Sequence, residues 1–133
     1  MHYMHVSLII TTYNRPDALL LVLRSIELQT LIPNEVIIAD DGSNSDTQVA
    51  INSFQESSSL NIIHSWQKDN GFRAAKSRNK AIAKSNSEYI ILIDGDMILH
   101  PEFIQDHLNN AEPGCFIQGT RVLLTENETS NAL

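Results

Sequence analysis

Between Tyr89 and Asp96 four aliphatic residues, Ile90-Ile91-Leu92-Ile93, run without a break into Asp94-Gly95-Asp96. A short aliphatic run of this kind reads as a buried strand, and its core has no place for charge. Both carboxylates must therefore stand where the strand leaves its sheet. Side chains alternate along a strand, so Asp94 and Asp96 point the same way if extended geometry lasts through Asp96. Two convergent carboxylates suit a hard cation, and Mg²⁺ or Mn²⁺ takes such oxygen ligands together with substrate phosphates. The same residues suit an Asp-Gly turn at a strand end, which needs no ligand. On this stretch alone the two readings stand level.

The rest of the chain repeats the arrangement. His5 to Thr12 reads as a buried strand, and Asn14-Arg15-Pro16-Asp17 opens a helix with Asn14 or Arg15 near its cap and Pro16 in its first turn. Ala18, Leu19, Val22, Leu23 and Ile26 recur at three- and four-residue spacing and carry that helix towards Gln29-Thr30. Glu35 to Ala39 is a second strand ending in Asp40-Asp41-Gly42-Ser43, and Asp46 to Gln55 a second helix. Leu60 to His64, Gly71 to Lys84, Glu88 to Ile93 and Phe103 to Asn109 follow as strand, helix, strand and short helix, and Phe116 to Leu124 as a fifth strand. Strands alternating with helices predict an α/β fold, a doubly wound, mainly parallel sheet with helices on both faces. Ligands of such sheets bind beyond the carboxyl ends of the strands. Thr11-Thr12-Tyr13-Asn14, Asp40-Asp41, Asp69-Asn70-Gly71-Phe72-Arg73 and Asp94-Gly95-Asp96 stand at those ends, after strands one to four in turn.

Size and charge narrow the function. A chain of 133 residues is one domain, and chains of this length bury roughly two thirds of their unfolded surface. Residues 1–124 read as that domain and Thr125 to Leu133 as a polar, frayed tail. No apolar stretch approaches the ~20 residues of a membrane span, and the N-terminus lacks a charged segment followed by an apolar one, so no secretory leader is expected. The lone Cys115 excludes an internal disulfide, suits a reducing, cytoplasmic setting and reads as core filler. A net charge of -7 argues against nucleic acid as a partner. Arg73, Lys76, Arg78, Lys80 and Lys84 nevertheless cluster, and such a segment binds an anion once a metal balances the acids. For Lys80 and Lys84 a solvated helix face is the simpler reading.

No Gly-x-Gly-x-x-Gly turn follows strand one, which weighs against a nicotinamide or flavin cofactor. Gly114 and Gly119 have the glycine spacing of a phosphate loop, but Thr120 stands where its lysine must be. Asp40-Asp41-Gly42-Ser43 can accept bonds from a base or a ribose, or can serve as a helix cap region. Tyr13 can stack on a base or be a half-buried aromatic. Of the histidines, His2 and His5 have a ligand-like spacing that an extended segment would not bring together. His100 is near enough to the acids to reach them, while His64 and His107 read as surface residues.

Four ordered motifs together resemble the inverting glycosyltransferases of family 2, which have the GT-A fold. They are Ser7-Leu-Ile-Ile-Thr11-Thr-Tyr13-Asn14-Arg15, Val36-Ile-Ile-Ala-Asp40-Asp41-Gly42-Ser43, Gly71-Phe-Arg73 through Ile82, and Tyr89 through Asp96. The resemblance covers residue 5 to about residue 121. It implies that Thr11 and Tyr13 line a pyrimidine pocket, that Asp41 bonds the base, and that Asp40 supports it or reaches the ribose. Arg73 would lie against the nucleotide, Arg78 and Asn79 would brace the loop or the phosphate side, and Asp94 would hold the ribose. Asp96 would ligate Mg²⁺ or Mn²⁺ on the diphosphate; Arg15 and Gly95, inside the matching motifs, join the nucleotide-binding set. Trp66 to Arg73 is most similar to bacterial enzymes that build polysaccharide or lipopolysaccharide.

The reaction so implied moves a sugar from a nucleoside diphosphate, expected to be a UDP-sugar, to a glycan or lipid-linked acceptor with inversion. In the family the general base comes from an acceptor-binding half downstream of this segment, and neither Glu126 nor Glu128 stands in a motif that marks it as that base. The expectation is a donor-binding part that transfers poorly alone, held at the inner membrane face, if at all, by other parts. A non-catalytic nucleotide-sugar module and a nucleotidyltransferase are the alternatives, though the latter's glycine- and lysine-rich loop is missing. A phospho-receiver domain would carry its acids after strand one, where Thr-Thr-Tyr-Asn stands instead.

Overall fold

The computed structural model describes residues 4–133, so His2 lies outside the described residues. Four strands, β1 (Val6–Thr12), β2 (Glu35–Asp40), β3 (Ile62–Trp66) and β4 (Tyr89–Asp94), form one parallel sheet in the order β3-β2-β1-β4. Between them run α1 (Pro16–Glu27), α2 (Ser45–Ser57) and α3 (Ala74–Lys84), and α4 (Phe103–Asn109) and α5 (Glu126–Ala132) follow. β1 and β2 are central and almost wholly buried, as their unbroken aliphatic runs require.

One face carries the larger core. Val6, Leu8 and Ile10 of β1 and Val36 and Ile38 of β2 pack there against Leu19, Leu23 and Ile26 of α1, Ile51 of α2 and Ile104 of α4. The opposite face is thinner, with Ile9, Ile37 and Ala39 against Ala81 of α3. Helices on both faces follow from the strand order. The chain steps from β1 outward to β3, then returns to place β4 on the other side of β1, so the crossover through α3 covers the other face. The β1–β4 junction is thus the point where the winding reverses, and crevices at such points take ligands.

The last third departs from expectation. Residues 116–124 form no strand; they face β4 across a cavity without joining its ladder. Their apolar residues are consecutive rather than alternate, so no single face of a strand could bury them, and Phe116 and Val122 stay about nine-tenths exposed, at 88% and 93%. Cys115, in the same stretch, is exposed rather than core filler. The end of the chain is helical, not frayed. Thr125 accepts from the Glu128 backbone N–H while the Glu128 carboxylate accepts from that of Thr125, a reciprocal cap that was readable in Thr-x-x-Glu. His64 and His107 are half-buried rather than surface residues, the one against Asp40 and the other against Phe103 and Tyr89.

Candidate functional site

β1 and β4 are in register with Thr11 beside Asp94, so the ends of both strands open into the reversal crevice together. The Thr11 hydroxyl donates to Asp94 Oδ1 at 3.2 Å, and Arg78 of α3 approaches the same oxygen at 4.0 Å. Gly95 then passes against β1 so closely that a Cβ there would lie 2.5 Å from the Thr11 carbonyl oxygen. Glycine is what lets the chain turn Asp96 back over the crevice. Neither Asp96 oxygen accepts a hydrogen bond among the described residues, and its charge adds to the field on Arg15.

Asp41 enters from the β2 side. It is buried, and its two oxygens accept from the Gln67 amide at 2.6 Å and from the Arg73 backbone N–H at 2.7 Å. Asp41 therefore fastens the loop after β3 to the end of β2. Tyr13 fastens the same loop to β1, its hydroxyl donating to Asp69 Oδ2 at 2.9 Å; that bond, with the Asp69 charge behind it, raises the phenol pKa above the ordinary value. Arg15 is forked onto Asp17 at 3.0 and 3.3 Å, which holds its guanidinium charged, with Asp96 adding a smaller push.

These groups surround a cavity of about 380 Å³, lined by Thr11, Tyr13, Arg15, Asp41, Arg78, Asp94, Gly95 and Asp96 among others. Asp40 and Arg73, the other two anticipated nucleotide contacts, are not in its wall. Asp40 is fully buried on the α2 side, where its carboxylate accepts from Gly42 and Ser43 N–H and meets His64 Nε2 at 2.8 Å. Burial pushes its pKa up, but His64 and Ser43 outweigh burial and hold it below the ordinary carboxylate value. Arg73 meets the site through its backbone, as the donor to Asp41.

The wall also includes Thr12, Ala39, Phe72, Ala74 and Arg121. Thr12 carries a buried hydroxyl with no partner. Phe72, next to Gly71, was open to a sequence reading as an exposed aromatic in a glycine loop. No local signal marks Arg121, which arrives from beyond α4. His100 lies outside this cavity, in an exposed trio with Glu102 and Asp106. The cavity sets three carboxylates and three guanidinium groups in a wall whose surface is otherwise mostly apolar. One carboxylate, that of Asp96, has both oxygens available to a divalent cation, so the donor set fits Mg²⁺ or Mn²⁺.

Residues 7–132 match the sequence model of glycosyl transferase family 2. The hyaluronan synthase of Pasteurella multocida is 37% identical over 103 residues, which are 77% of this chain and 10% of that protein. The chondroitin synthase of Escherichia coli is 33% identical over 103 residues, again 77% of this chain and 15% of the other. Among solved structures, S. aureus TarS 1-349 in complex with UDP-GlcNAc superposes with a TM-score of 0.66 at 25% identity, over 80% of this chain and 30% of that one. The chain thus spans between a tenth and a third of the length of these proteins.

Proposed function

The chain belongs to glycosyl transferase family 2, and on that premise we propose that its cavity binds a uridine diphosphate sugar for transfer to a glycan or lipid-linked acceptor. One observation carries the reading: Asp41 at the end of β2 and Asp96 beyond β4, distant in sequence, line a single cavity at the sheet's reversal point. The names of relatives agree with it, since TarS was solved with UDP-GlcNAc and two curated relatives are named as glycan synthases.

In this reading Tyr13 and Phe72 offer aromatic faces to the uracil, and Asp41, held by Gln67 and Arg73, sets the base edge. Thr11 orients Asp94 for a ribose hydroxyl. Asp40 acts through the loop it ties down rather than on the ligand. Asp96 would hold Mg²⁺ or Mn²⁺, and the ion would supply charge stabilisation to the departing diphosphate. An acceptor hydroxyl would then attack the sugar's anomeric carbon from the face opposite the diphosphate, with inversion. It gives its proton to a general base while UDP leaves with the electrons of the broken C–O bond.

Titration calorimetry with UDP in the presence and absence of Mn²⁺ tests the proposal. The wild type is expected to bind UDP more tightly with the ion, and Asp96→Ala to lose the Mn²⁺-dependent part. Equal binding by both proteins would remove the metal role, and no UDP binding by the wild type would remove the proposal.

A further inference from the structure

The cavity wall holds three arginines, and two are already engaged: Arg15 with Asp17, and Arg78 within 4.0 Å of Asp94. Arg121 makes no hydrogen bond and no ion pair among the described residues, although three carboxylates line the same cavity. A guanidinium left unpaired there presents five N–H donors in a planar fork, the shape that grips phosphate oxygens two at a time.

Its position says which part of a ligand it meets. A second, larger hollow of about 720 Å³ adjoins the first and shares Arg15, Asp96 and Arg121 with it, but not Tyr13 or Asp41. The nucleotide cavity therefore has two ends. Tyr13 and Asp41 mark one, and the shared charged residues mark the other. A nucleotide with its base at the first end carries its phosphates to the second. There Asp96, which would hold a divalent ion, and Arg121 would face the diphosphate from separate parts of the chain, one beyond β4 and one between α4 and α5.

We infer that Arg121 is a diphosphate-binding residue of this site, closing it from the α4–α5 segment and positioning the leaving group. The inference rests on the donor reading above. It differs from that reading in what it requires: a loss confined to phosphate recognition, from a residue in a stretch without regular structure. Because that stretch is neither helix nor strand and the side chain is exposed, a substitution there leaves the core intact.

Calorimetry with Mn²⁺ on wild type, Arg121→Ala and Arg121→Lys, titrated with UDP, and ligand-observed NMR with uridine, form the test. Loss of charge-assisted hydrogen bonds should weaken UDP about ten- to hundredfold in Arg121→Ala. Arg121→Lys should recover part of that loss as a point charge, and uridine binding should be the same in all three proteins. UDP affinity unchanged in Arg121→Ala, or uridine and UDP weakened by the same factor, overturns the inference while leaving the donor reading standing. Absence of UDP binding by the wild type overturns both.

Discussion

The smallest decisive element of the site is a missing side chain. At Gly95 a Cβ would sit 2.5 Å from the Thr11 carbonyl oxygen and 3.3 Å from Thr12 Cβ, and the nearest of these atoms is backbone. Gly95→Ala must therefore displace the end of β4 from β1, at a cost of about 1–3 kcal/mol by analogy with overpacked sites. It should lower the melting temperature and the affinity for UDP with Mn²⁺ together, since Asp94 and Asp96 flank the displaced residue. Gly119→Ala, where nothing lies within 4 Å, should change neither and serves as the control. An unaltered Gly95→Ala protein would mean that the strand ends are free to part. The sequence made Asp94-Gly95-Asp96 conspicuous, but only the family resemblance, not the residues of Asp40-Asp41-Gly42-Ser43 themselves, told Asp40 from Asp41. Neighbouring residues at a strand end face opposite ways, so only one of the two could meet the cavity. The choice fell to Asp41 because His64 and the Gly42 and Ser43 amides capture Asp40 on the α2 side, and those partners come from other elements.

Between elements, the loops above the sheet are laced to one another. Asn14 adopts φ 50°, its backbone N–H donates to Ser43 Oγ at 2.8 Å, and its side-chain oxygen accepts from Asn44 N–H at 2.8 Å. Asn44 in turn caps α2 by accepting from Asp46 N–H. One asparagine thus fixes the start of α1 against the start of α2 and holds Tyr13 and Arg15 on either side of itself. Asn14→Ala loses the side-chain bond and replaces a residue that tolerates the left-handed region with one that does so less readily, for a cost of about 1–3 kcal/mol. Asn14→Gly loses the bond but adopts the left-handed region without strain, so its urea midpoint should lie between those of Asn14→Ala and wild type. The opposite ranking of the two variants would show that the φ angle carries no strain. The four strands and first four helices were legible because each bears its own apolar period and its own punctuation. Residues 116–124 were misread because apolar content alone does not make a strand; pairing does, and no ladder partner meets them.

For the molecule as a whole, two opposed electrostatic effects meet as pH falls. At pH 7 the chain carries a net charge of -7, so protonating its exposed acids relieves self-repulsion. Against that stand groups whose folded state binds protons less readily than the unfolded chain. Burial raises the pKa of Glu35, but hydrogen bonds from Ser7, the Asn86 N–H and Ser85 more than reverse it, and Asp40 is depressed against burial in the same way. Burial depresses His107 with only a partial counter-pull from Asp106; its Nδ1 lies 3.1 Å from the Tyr89 hydroxyl and its ring packs on Phe103. All three depressions have the same sign: the unfolded chain takes up more protons, so stability rises with pH and is lost on acidification. Because the hydrogen bonds on Glu35 and Asp40 and the burial of His107 act at short range while surface charge is screened, the loss should win, and in two stages. The first begins below the ordinary histidine value of about 6.5, the second below the ordinary carboxylate values of about 4. Urea midpoints measured from pH 7 to pH 3 should fall through both windows. His107→Gln should flatten the upper stage alone, and Glu35→Gln should shrink only the lower. A wild-type midpoint that climbs steadily on acidification would show that self-repulsion, rather than these three buried contacts, governs how this acidic chain holds its fold.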